Sequence, residues 1–180
     1  MGLRLDKEWV CARPLAERAF LNGQLMAAAY GTVIVADRHH QMLGGIHALL
    51  GVVFDAVVMV ADDRSLVEAV GRMHPDLVIV DLSLPSDGDD LNVAHRLATE
   101  RPDLRIIVMS VHDEPAAVRQ TLAAGAAGFV LKRSAATDLI PAVREVLAGR
   151  TYVSPAARCQ ATAAATTSPP AKPPPEVPAS

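Results

Sequence analysis

Apolar positions along the chain fall into five short runs, at 32–36, 56–61, 77–80, 105–109 and 128–131, rich in Val and Ile and separated by segments of helical periodicity. Runs of that length and branched content read as strands buried on both faces, the usual state of a parallel sheet. Between and after them the spacing predicts helices near 41–51, 65–73, 91–99, 115–124 and 136–148. The last is the clearest: Leu139, Ile140, Val143, Val146 and Leu147 mark one face, and Gly149 suits its end. Strands alternating with helices predict right-handed βαβ units and an α/β fold, a doubly wound (βα)5 three-layer sandwich around a five-stranded parallel sheet.

Polar residues follow the runs, and four of them carry the candidate chemistry. Asp37 follows the first, Asp81 the third, Ser110 the fourth and Lys132 the fifth. In an open parallel sheet such positions converge at the carboxyl edge, where ligands bind. A carboxylate, a hydroxyl and an amine meeting there point to phosphoryl chemistry.

The pattern covers about 32–155 and leaves two flanks. In the N-terminal extension, 1–31, Leu15, Ala19, Leu21 and Leu25 give near-helical spacing from about Pro14 to Ala29; docking on the domain, assisting pairing and disorder are all open to it. Residues 156–180 are dominated by Ala, Thr, Ser and Pro, lack the side chains that build a core, and are expected to be a disordered tail, inert or serving as a spacer or recognition peptide.

Charge and cysteine content narrow the function. Seventeen basic and 20 acidic side chains give a formal net charge of -3, which offers no electrostatic case for a nucleic-acid surface. Cys11 and Cys159 lie near opposite ends without partners at metal-ligand spacing, as expected of a reduced cytosolic protein. No apolar stretch is long enough for a membrane helix and no export signal opens the chain, so a cytoplasmic location without membrane insertion is expected. Neither a glycine-rich phosphate loop with a following Lys-Ser/Thr nor a nucleophile elbow is present, which leaves ATP hydrolysis and serine hydrolase chemistry unsupported.

Four ordered segments carry a family resemblance: Val35-Ala36-Asp37-Arg38-His39-His40, Val80-Asp81-Leu82-Ser83-Leu84-Pro85, Arg101 through Glu114, and Ala123 through Lys132. Together they resemble a two-component response-regulator receiver domain, of the transcriptional class that carries a C-terminal helix-turn-helix. The resemblance implies a flavodoxin-like strand order, 2-1-3-4-5. It implies that Asp81 is the phosphoacceptor, supplied by a histidine kinase, a phosphotransfer protein or a small phosphodonor, with self-phosphorylation and autodephosphorylation as the only enzyme-like steps. Lys132 resembles the amine that contacts the phosphoryl group, and it can pair with Asp81 beforehand. Ser110 resembles the hydroxyl switch and Phe129 the aromatic that turns inward with it, while Pro85 shapes the loop after the phosphoacceptor. The face around Phe129 and the last two helices resembles a pairing surface, through which a homodimer or an unidentified output protein would bind.

Arg38 breaks the pattern. The family presents two adjacent acids after its first strand, the second a magnesium ligand, and here a fixed cation stands in that second place. Asp37, Asp81 and the Ser83 backbone carbonyl are left as a weakened Mg2+ site, or as none. Arg38 could instead pair with Asp81, stabilise its phosphoryl group, or face solvent. The loop Ser86-Asp87-Gly88-Asp89-Asp90-Leu91 also departs and reads as a solvated acidic loop; Asp62-Asp63 reads as a turn and helix cap. The six histidines, His39 among them, form no compact metal spacing, and none is assigned a catalytic role.

Three functions compete. The first is a stand-alone receiver acting as a phosphorylation-controlled interaction switch. The second is the same fold used as an interaction module without phosphorylation, because Arg38 impairs magnesium binding. The third is a truncated transcription regulator without its DNA-binding domain. Asp81, Ser110, Phe129 and Lys132 favour the first, and Arg38 the other two.

Overall fold

The computed structural model describes residues 3–5, 8–12, 20–21, 24–25, 30–84 and 92–158. Its strands are β1 (Leu3–Leu5), β2 (Glu8–Ala12), β3 (Phe20–Leu21), β4 (Gln24–Leu25), β5 (Tyr30–Ala36), β6 (Phe54–Val60), β7 (Leu77–Asp81), β8 (Arg105–Ser110), β9 (Gly128–Leu131) and β10 (Tyr152–Val153). The helices are α1 (His40–Leu50), α2 (Asp63–Met73), α3 (Asn92–Glu100), α4 (Pro115–Ala123) and α5 (Ala135–Leu147). The five expected strands are β5 to β9, joined in parallel in the order β6-β5-β7-β8-β9, which is the expected 2-1-3-4-5.

Alternation along each strand explains the three layers. Val33 and Val35, Leu77 and Ile79, and Ile107 and Met109 face one side, where Ile46 and Leu50 of α1 and Leu139, Ala142, Val143 and Val146 of α5 complete a core. Their neighbours Ile34, Val78, Val80, Ile106 and Val108 face the other side, with Leu66, Ala69 and Val70 of α2 and Val93, Ala94 and Leu97 of α3. With both faces covered, strand residues such as Val33–Ala36 have no exposed surface, so the polar-apolar alternation of a half-exposed strand never appears in the sequence.

Local chemistry sets the boundaries. Asp62 caps α2 by accepting the Ser65 N–H at 2.8 Å, in line with the expected turn and cap. Gly125 ends the α4 region at a φ of 97°, and a Cβ there would lie 2.6 Å from that of Ala98, so both backbone and packing require glycine.

The sheet exceeds the expectation at both edges. β1 and β2 form an antiparallel hairpin whose second strand pairs antiparallel with β6, with Val10 opposite Val58. β10 adds a parallel strand outside β9, with Tyr152 opposite Gly128 and Val153 opposite Phe129, making eight strands in all. The helix considered over 14–29 is corrected where that span is described: Phe20–Leu21 and Gln24–Leu25 pair antiparallel. The intervening sequence is Asn22-Gly23, the dipeptide that favours two-residue hairpins, and this short-range preference outweighs a loose helical spacing.

The boundary expected at 155 also moves. Residues 155–158 form a helical turn, and Ala157 is fully buried with Phe129, Leu131, Val153 and Val118 of α4. Residues 159–180, expected to be a tail, lie outside the described residues. No helix among the described residues is long and apolar enough to cross a membrane.

Candidate functional site

The carboxyl ends of β5, β7, β8 and β9 bring Asp37, Asp81, Ser110 and Lys132 to one edge of the sheet. Asp37 directly follows β5, and its N–H continues the ladder to the Val60 carbonyl at 3.1 Å. Asp81 is the last residue of β7 and Ser110 the last of β8, while Lys132 opens the 3-10 turn Lys132–Ser134 that follows β9. Asp37 and Asp81 are 0% and 1% exposed, and Lys132 is 7% exposed. Burial of three charges requires that they satisfy one another. The Lys132 Nζ lies 2.6 Å from Asp81 Oδ2 and 2.8 Å from Asp37 Oδ2, one cation spanning both carboxylates.

Asp81 accepts two further bonds from the loop that follows it. The Ser83 N–H donates to Oδ1 at 3.1 Å and the Ser83 hydroxyl to Oδ2 at 2.8 Å. Burial pushes the Asp81 pKa up, but the Lys132 ammonium and the Ser83 hydroxyl and N–H outweigh it and hold the group below the ordinary 3.8. The carboxylate is therefore ionised at neutral pH, the state a nucleophile requires.

Arg38 is exposed and forms no ion pair with Asp81; of the three dispositions open to it, the side chain faces solvent. Its neighbour His39 occupies the pocket instead. The His39 N–H donates to Asp37 Oδ1 at 2.8 Å, and its Nδ1 lies 3.1 Å from the same oxygen and 3.3 Å from Asp81 Oδ2. Asp37, His39 and Asp81 each offer a ligand atom within 4.8 Å of the others. Comparing the histidines only with one another hid this grouping, whereas the spacing of His39 two residues beyond Asp37, in the turn that ends a strand, was the available signal.

The remaining expected residues lie close by without joining this cluster. Ser110 is buried, and its Oγ accepts the His112 N–H at 2.9 Å. Phe129 is fully buried against Val118, Leu131, Val153 and Ala157, so β10 and the turn after it cover its ring. Ser83 meets Asp81 through its N–H and hydroxyl. Pro85 and the acidic residues Asp87, Asp89 and Asp90 lie outside the described residues.

A second polar cluster holds the β10 segment in place. The Ser134 and Ser154 hydroxyls donate to Asp138 Oδ2 at 2.7 and 2.6 Å, and Thr137 donates to Oδ1 at 3.2 Å. The Ser154 Oγ also accepts the buried Leu131 N–H at 3.1 Å. Burial raises the Asp138 pKa, but the hydroxyls of Ser154, Ser134 and Thr137 prevail and hold it below 3.8. Sequence reasoning did not find this cluster, because its members are brought together only when β10 pairs with β9.

Comparison with known proteins gives the same picture. Residues 33–144 match the family described as response regulator receiver domain. The chain is 30% identical over 125 residues to the transcriptional regulatory protein DegU of Brevibacillus brevis, covering 68% of this chain and 52% of DegU. It is 35% identical over 125 residues to the probable transcriptional regulatory protein NarL of Mycobacterium tuberculosis, covering 68% of this chain and 57% of NarL. The chain thus spans a little more than half the length of these relatives. Among solved structures, the isolated REC domain of RcsB from Salmonella enterica serovar Typhimurium, with the phosphomimetic BeF3-, is similar at a TM-score of 0.63 and 28% identity, covering 72% of this chain and 96% of that one.

Proposed function

For a chain that belongs to the response regulator receiver domain family, we propose a protein-interaction switch whose input is a phosphoryl group on Asp81. The observation that carries this reading is Lys132, a nearly buried cation within 2.8 Å of both Asp37 and Asp81 at the carboxyl edge of the sheet. The Asp81 carboxylate attacks the phosphorus of a phosphohistidine on a kinase or phosphotransfer protein. An acyl phosphate forms, the donor's N–P bond breaks, and the histidine keeps the electron pair. Lys132 holds the carboxylate beforehand and balances the added oxygens afterwards.

Asp37, Asp81 and the Ser83 carbonyl would hold a magnesium ion, which neutralises phosphoryl charge when bound. That oxygen set is one carboxylate short, because a solvent-facing Arg38 stands in the place of an acid. Ser110 and Phe129 supply the readout: a new acceptor at Asp81 competes for the Ser110 hydroxyl, and its movement frees space for the Phe129 ring. The expected pairing face around Phe129 is covered by β10, so the output surface is α4, α5 and the β10 edge, which a second copy or an output protein would contact.

A second reading, the same surface used without phosphorylation, is favoured by one observation. Arg38, exposed beside the pocket, stands in the place of the acid that would complete the magnesium site.

Intact-mass measurement after incubation with acetyl phosphate or a histidine kinase, with and without magnesium, separates the two. Addition of one phosphoryl group that disappears in Asp81→Asn supports the switch. No addition to the native chain, with recovery in Arg38→Asp, supports the constitutive module.

A further inference from the structure

Beside the position that Arg38 occupies, His39 places an imidazole nitrogen against both pocket carboxylates. We propose that His39 joins Asp37 and Asp81 in a divalent-cation site that prefers imidazole-binding transition-metal ions, of the zinc, nickel and cobalt class, over magnesium. Three observations carry this. First, the three donors already converge: His39 Nδ1 is 3.1 Å from Asp37 Oδ1 and 3.3 Å from Asp81 Oδ2. Ligands held about 2.0–2.2 Å from an ion stand about 3.0–3.5 Å from one another, which is the separation of His39 Nδ1 from each carboxylate oxygen, and one ligand atom of each of the three residues lies within 4.8 Å of the others.

Second, the donor set is one nitrogen and two oxygens. Magnesium demands oxygen ligands in near-octahedral array, whereas imidazole suits zinc, nickel and their neighbours. Third, the charge balance disfavours magnesium. Two carboxylates paired with one buried ammonium leave a single net negative charge, and Arg38 supplies a cation where a further acid would have strengthened the site. A hard, strongly hydrated ion relies on that charge; a transition-metal ion gains from its bond to nitrogen.

The ion would lie on the His39 side of the carboxylates, while Lys132 keeps its bonds to Asp37 Oδ2 and Asp81 Oδ2. His39 would then ligate through an unprotonated Nδ1 and carry its proton on Nε2. Half of its side-chain surface is exposed, which leaves a path for the ion to enter. Asp81 becomes both ligand and phosphoacceptor, so availability of such an ion would set how readily the carboxylate reacts.

The test is ion binding by the unphosphorylated full chain, which keeps its outcome separate from that of the switch: a chain that accepts no phosphoryl group would sink the switch and leave this site standing. Nickel affinity is measured by competition with a chromophoric chelator, magnesium affinity by calorimetry, and coordination by the visible bands of the cobalt form. Circular dichroism checks that each variant is folded. The expected result is one nickel ion per chain, bound more tightly than magnesium. Affinity should fall at least about tenfold in His39→Ala and in Asp37→Asn, with the cobalt bands altered in both. Arg38→Asp should strengthen magnesium binding. Magnesium bound as tightly as nickel, nickel affinity unchanged in His39→Ala, or nickel affinity lost only in His40→Ala or His112→Ala would overturn the proposal.

Discussion

Asp81 and Asp138 are both aspartates held below their ordinary pKa, yet they are satisfied in opposite ways. Asp81 is fully buried and leans on a cation, Lys132, with Ser83 and His39 completing its surroundings. Asp138, half-buried in the first turn of α5, accepts three hydroxyls, from Ser134, Thr137 and Ser154. A carboxylate balanced by cations can exchange one partner for another, because an incoming phosphoryl group brings oxygens that the same cations can hold. A carboxylate bonded by neutral donors from the 3-10 turn, α5 and the β10 segment ties those elements together. The first arrangement is suited to chemistry and the second to fastening.

Removing the cation gives the largest effect on stability. Lys132→Met leaves two buried carboxylates facing each other, which should cost about 3–5 kcal/mol at neutral pH in a denaturant melt. The sign of its pH dependence is specific. With the cation gone, burial and mutual repulsion raise the folded-state pKa of one carboxylate above its unfolded value, so the variant regains stability as pH falls and loses it as pH rises through that raised pKa. A variant equally weakened at every pH would mean that Lys132 contributes packing alone.

An intermediate effect is expected at the fastening. Ser154→Ala leaves the buried Leu131 N–H without its acceptor and should cost about 1–3 kcal/mol. Hydrogen exchange should then rise at Tyr152 and Val153 before it rises in β7. Uniform loss of protection across the sheet would show that β10 is not held separately.

The smallest effect belongs to Asp138→Asn, about 1 kcal/mol at neutral pH, since the group is partly exposed and its partners are neutral. Because its folded pKa lies below 3.8, the native carboxylate contributes stability that is present above the unfolded value and lost as pH falls through the folded one. Melting curves of the native chain and the variant should therefore converge in acid. Curves separated by the same interval throughout would remove Asp138 from the account.

Legibility in the sequence follows the same division. The apolar runs that became β5 to β9 were readable because both faces of each strand are buried, and the polar residue after a run marks the sheet edge wherever the sheet is parallel. Asp81, Lys132 and Asp37 therefore announced themselves. β10 did not, because Tyr152-Val153 is too short to carry a period and its pairing depends on α5 returning the chain beside β9. The β1-β2 hairpin likewise gains its place from the β6 edge. His39 lay in plain view, but a histidine's role depends on the carboxylates a turn brings to it, and those come from two strands.

The strand added by Tyr152 and Val153 also changes where this domain can be cut. The family pattern ends at residue 144, inside α5 and before β10. A fragment trimmed to those limits would uncover the outer backbone groups of β9 and the ring of Phe129, an open edge with an apolar flank that invites self-association. The unit to express, dissect or graft therefore runs through Arg158, and partner-binding results from a shorter piece would report on a surface that the longer chain keeps covered.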